Sequence, residues 1–116
     1  MATARERLRL ARTALEAGFP DGAVSSAYYA VLYAARAALS EEDRYAKTHT
    51  GTWRLFDSLF VEAGRFDQAL FAEARRIQEL REGADYDAIT VSAERADPTV
   101  DVAEQFVHAV ASMLGE

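Results

Sequence analysis

Apolar residues recur at three- and four-residue spacing along most of the 116-residue chain, and this period predicts helices. Leu8, Ala11 and Leu15 form one stripe, which predicts a first helix from Ala2 to Ala17. Gly18 ends it, and Pro20-Asp21-Gly22 turns the chain. A second helix is expected from Gly22 to Leu39, and it is apolar nearly all round. Such a helix is normally central, touched by neighbours on most sides. A polar loop, Ser40 to Lys47, leads to a third helix that Thr48 or Thr50 can cap. Trp53, Phe56, Leu59 and Phe60 carry its apolar face, and Gly64 closes it.

Asp67 can cap a fourth helix to about Arg81, with Leu70, Ala74, Ile77 and Leu80 turned inward. Glu82 to Ala96 reads as irregular or partly helical and includes the one strand-like run, Ile89-Thr90-Val91. Asp97-Pro98 reads as the start of the last helix, an Asp cap followed by proline. Val102, Phe106, Val110 and Met113 then share a face. These elements predict an all-α, antiparallel bundle of four to five helices, one domain over residues 1–116.

Composition narrows the partners. The net charge is −6, which argues against a general nucleic-acid coat. The balance is uneven, with one basic and eight acidic side chains from Glu82 onward. Basic side chains therefore concentrate in the first two thirds, where a local basic cleft can form. The chain has no cysteine, which excludes disulfides and thiolate metal sites. No segment reaches the roughly 18 to 20 apolar residues of a membrane span. The start, Met1 to Leu10, lacks the apolar run of a signal peptide. A cytoplasmic protein without membrane contact is expected.

Candidate chemistry gathers in three places. The second helix carries a tyrosine set, Tyr28, Tyr29 and Tyr33, of which Tyr29 and Tyr33 fall with Arg36 at i, i+4 and i+7 and share a face. They either pack the core margin or line a cleft. Lys47-Thr48-His49 stands at a helix start, where free amides favour an anion; the alternative is that Thr48 and His49 only cap the helix. Arg76 and Arg81 lie late in the fourth helix, with Asp85-Tyr86 following. His49 and His108 are too far apart in sequence for paired zinc ligation, and no glycine-rich phosphate loop occurs. No metal and no cofactor are expected.

Three blocks resemble one family. Ser25 to Ala30 with Ala34 to Leu39 resembles the second helix of HEPN-domain proteins (higher eukaryotes and prokaryotes nucleotide-binding). Lys47-Thr48-His49-Thr50-Gly51, with Phe56, Phe60-Val61 and Gly64, resembles the next segment of a small stand-alone prokaryotic branch. Arg81 to Tyr86 resembles its Arg-x-x-Ala-Asp-Tyr block. The resemblance implies a helical bundle that pairs as a homodimer. It also implies a minimal nucleotidyltransferase as partner, in a toxin–antitoxin-like pair, with a nucleotide or RNA as ligand. Lys47, Thr48 and Arg76 would contact phosphate, and Tyr29, Tyr33, Arg36 and Asp85 would shape the cleft.

Many members of the family are metal-independent ribonucleases whose motif is an Arg, four to six intervening residues, and then a His. Here Arg81 matches the arginine, but Tyr86, Asp87 and Ala88 occupy the histidine positions. A tyrosine, with an unperturbed pKa near about 10, is a poor proton shuttle at neutral pH. The alternative function is therefore an endoribonuclease in which Arg81 works with His49 or Tyr86. The Tyr86 hydroxyl is also a candidate for modification by the nucleotidyltransferase.

Overall fold

A computed structural model describes residues 1–86 and 91–116, with backbone only for 83–86. The described residues form an all-α bundle: α1 Ala2–Glu16, α2 Pro20–Glu41, α3 His49–Phe56, α4 Gln68–Tyr86 and α5 Ala93–Met113. A π-helical turn, Asp57–Val61, continues α3. The strand-like run falls outside the described residues except for Val91.

The α1–α2 corner follows from local chemistry. Gly18 takes φ +86°, a conformation that costs an L side chain about 1–2 kcal/mol. This lets Phe19 N–H reach back to the Ala14 carbonyl at 2.8 Å. Pro20 then occupies the first position of α2, where its missing N–H costs nothing. The helix thus starts two residues earlier than the turn signal suggests.

Burial makes α2 the axis of the bundle. It contacts α1, α3, α4 and α5. Ala23, Ala27, Ala30, Ala34, Ala35 and Ala38 are all fully buried along it. Their small side chains let the neighbouring backbones approach on every side. Bulk comes from elsewhere: Trp53, Phe56, Phe60 and Phe106 are fully buried. The π turn sets Phe60 beside Phe56, with ring centres 4.9 Å apart. Phe56 also stacks on Phe71 of α4 at 5.8 Å. This aromatic group joins α3, α4 and α5 at one end of the core.

The start of α5 differs from the sequence expectation. Ser92 is the cap, its hydroxyl accepting from Arg95 N–H, and Pro98 lies inside the helix. Proline near the start of a helix removes only one intrahelical bond. Asp97 has another role, as part of an ion network. Arg12 of α1 reaches Asp97, Asp101 and Glu104 of α5 at 3.2, 3.0 and 2.8 Å. The three carboxylates repel one another, and the guanidinium offsets that repulsion while joining the two helices. Glu104 first, and then Asp101, hold the Arg12 pKa above its ordinary value through their hydrogen bonds.

Such pairs at partly exposed positions contribute about 0.2–1 kcal/mol each. Arg12→Leu is therefore expected to lower the thermal midpoint by a few degrees, and less so in 1 M salt. Thermal melts at the two salt concentrations check this; an equal loss in both would assign the effect to packing.

Candidate functional site

The site grows outward from Tyr28 on α2. Its ring is 0% exposed, and a buried tyrosine needs a partner for its hydroxyl. That partner is His49, the first residue of α3, whose Nδ1 lies 2.7 Å from the Tyr28 oxygen. Thr48 fixes the start of α3, its hydroxyl accepting from Gly51 N–H at 2.9 Å. A side chain at Gly51 would sit 2.8 Å from that hydroxyl oxygen, so glycine keeps the cap intact. The loop and cap thereby aim the imidazole at α2.

Arg81 of α4 completes the group from the other side. Its guanidinium carbon lies 5.1 Å from the Tyr28 ring centre and 5.0 Å from that of Tyr29. Its Nη2 donates to the Tyr29 hydroxyl at 3.2 Å. Arg36 adds a second charge from α2. Its Nε is buried and has no hydrogen-bond partner among the described residues. Tyr29 and Tyr33 stack with ring centres 6.0 Å apart.

Electrostatics give this cluster its character. Burial lowers the His49 pKa from 6.5, and the charges of Arg36 and then Arg81 lower it further, while Glu82 opposes them. Burial pushes the Tyr28 hydroxyl up to about 12, with Arg81 acting against it. Both groups are therefore neutral at pH 7, while two guanidinium groups supply positive potential around them. A neutral imidazole among arginines can accept a proton, and the arginines favour an anion beside it.

The fold gathers some of the residues singled out in the sequence and separates others. His49 and Arg81, distant in sequence, meet around Tyr28, with Tyr29 against its ring, Tyr33 stacked on Tyr29, and Arg36 near enough for its charge to act on His49. Lys47 and Thr48 are exposed just before α3, and Thr48 is engaged as a cap. Arg76 lies elsewhere, in a groove between α4 and α5 with Ile77, Leu80, Arg95, Pro98 and Val102. The side chains of Asp85 and Tyr86 fall outside the described ones. His108 is exposed on α5.

One participant, Arg7, carries no sequence signal, and Tyr28 is marked only as one of three tyrosines on α2. Tyr28 lies on a helix that is apolar all round, so no face marks it. Arg7 of α1 reaches across to α2 and lies 5.8 and 5.9 Å from the Tyr29 and Tyr33 ring centres. The need of a buried phenol for a partner was the one available clue to the pairing of Tyr28 with His49.

Comparison with known proteins bears on the family of the chain. The HEPN domain family model matches residues 1–113. A Methanocaldococcus jannaschii protein named "Putative toxin MJ0605" is 30% identical over 113 residues, which cover 97% of this chain and 84% of that protein. A second from that organism, "Putative toxin MJ0142", is 30% identical over 95 residues, covering 81% and 65%. A UPF0332 protein of Gloeobacter violaceus is 31% identical over 104 residues, covering 90% and 82%.

The His49 environment makes a direct prediction. With the folded pKa below 6.5, the unfolded chain holds more protons at this residue between the two values. This site's contribution to stability therefore rises with pH through that window and is lost as pH falls through the folded pKa. In an NMR titration His49 is expected to titrate below 6.5, and Arg36→Gln is expected to move it upward. A His49 titration unchanged by that substitution would contradict the assigned charge effect.

Proposed function

The chain belongs to the HEPN domain family, and from that premise we propose that it binds RNA or nucleotide phosphate between Arg81, Arg36 and His49. In this reading it acts as a homodimer and as one half of a toxin–antitoxin pair whose other half is a minimal nucleotidyltransferase. The observation that carries the phosphate site is the meeting of His49 and Arg81 at Tyr28, with ring and charge in contact. Arg36 and Arg81 both act on His49 through their charge. A phosphodiester bound here would meet two guanidinium groups, the side chains best suited to its planar recognition. The pairing with a second protein draws on the relatives named as toxins.

The lowered His49 pKa favours a second reading, endoribonuclease activity at the same place. In the tautomer that donates Nδ1–H to Tyr28, Nε2 keeps a lone pair. It can take the proton from a ribose 2′-hydroxyl as that oxygen attacks phosphorus. The bond to the 5′-oxygen then breaks, and that oxygen takes up a proton from the imidazolium or from water. The products are a 2′,3′-cyclic phosphate and a 5′-hydroxyl. Arg81 would stabilise the charge gathering on the phosphoryl oxygens. Tyr86 remains the alternative partner of Arg81 in this reading and a candidate for modification by the nucleotidyltransferase.

Fluorescence anisotropy with labelled RNA tests the binding function. Arg81→Ala is expected to weaken binding about 10-fold, on the order of one charge-assisted contact, and to flatten its salt dependence. Unchanged affinity and salt slope would refute the site. For the second reading, gel assays in the presence of EDTA compare wild type with His49→Ala. A fall of roughly 10²–10⁴-fold is expected from loss of a general base. Equal cleavage by both proteins would remove His49 from the chemistry.

A further inference from the structure

The anion site does not end at Arg81. Tyr29 and Tyr33, one turn apart on α2, stack at 6.0 Å with their planes 28° apart. Arg7 of α1 lies over both rings. Arg81 lies over Tyr29, 5.0 Å from its centre. Arg7 therefore neighbours both rings, and Arg81 neighbours Tyr29. Unlike Tyr28, both rings are only part-buried. Arg7 makes no ion pair among the described residues, whereas Arg5 and Arg12 on the same helix each pair with carboxylates.

We propose that Arg7, Tyr33 and Tyr29 form a subsite for the neighbouring nucleotide of a single-stranded RNA, whose phosphate is held at Arg81. This rests on the phosphate-binding reading given above. Two cations beside one pair of aromatic rings match a strand in which charge and base alternate. A base stacks on any aromatic face, so the subsite tolerates sequence. Arg7 would take the next phosphate and keep its contact with the rings. Bases in a duplex have their faces covered by neighbours, so the arrangement selects unpaired strands.

A purely structural role for Arg7, a strap between α1 and α2, would be redundant. The two helices already share a buried seam that includes Ala4, Ala11 and Ala27. The Arg12 network ties α1 to α5 as well.

The test compares a labelled single-stranded RNA octamer, the same octamer as a duplex, and inorganic pyrophosphate. Wild type is expected to bind the single strand more tightly than the duplex. Tyr33→Leu and Arg7→Gln are each expected to weaken the single strand about 10-fold, on the order of one stacked base, and Tyr33→Leu is expected to leave pyrophosphate binding unchanged. Tyr33→Phe, which keeps the ring, should bind as wild type does; its melting curve and that of Arg7→Gln verify folding. Wild-type binding by Tyr33→Leu and Arg7→Gln, with Arg81→Ala impaired, would overturn the subsite and leave the phosphate site standing. Full binding by Arg81→Ala would instead overturn the phosphate site on which the subsite rests.

Discussion

Enclosure of α2 by four other helices is the constraint from which the architecture and the site both follow. A helix touched on every side cannot carry bulk on every side. Alanine solves this, and six alanines of α2 are fully buried. Each loses little side-chain entropy on folding. Close packing also makes α2 a rigid support, because a packed interior has few voids into which it can move. Tyr28 is the large polar exception on that support. Its ring fills space in the core while its hydroxyl must find a partner at the margin.

The rest of the site answers that requirement. The Thr48 cap fixes where α3 begins, and this places His49 against the tyrosine hydroxyl. On α4, Ile77 faces the core and Arg81 lies one turn later on the same face. Its guanidinium therefore lies against α2, over the tyrosine rings. Arg76, five residues before Arg81, points about 140° away around a helix of 3.6 residues per turn. Position on the helix, rather than proximity in sequence, separates a residue of the candidate site from one of the α4–α5 groove. The same burial that shapes the core also keeps His49 and Tyr28 neutral among arginines.

Much of the fold is legible in the sequence because helical period and stop signals are local. Gly18, Gly64 and the Thr48 cap lie where local chemistry requires them, and the apolar girth of α2 marks it as central. Asp97-Pro98 misleads because a helix-start signal also fits the second turn of a longer helix, and there Asp97 answers Arg12 on a distant element. The convergence of His49 and Arg81 depends on how α3 and α4 lie across α2, which no local pattern encodes. The particular role of Tyr28 among the three tyrosines is hidden for a related reason. On a helix that is apolar all round, no face distinguishes the residue that reaches the site from those that only fill the core.

The central claim is that this folded group, and not the arginine-lined groove between α4 and α5, receives phosphate. A crystal structure of the protein with a short RNA bearing 2′-O-methyl groups, which cannot cleave, tests it most directly. The account predicts a phosphate within hydrogen-bond distance of Arg81 and Arg36, with His49 Nε2 facing the blocked 2′-oxygen. A phosphate bound instead at Arg76 and Arg95, with the Tyr28–His49 pair untouched, would contradict it.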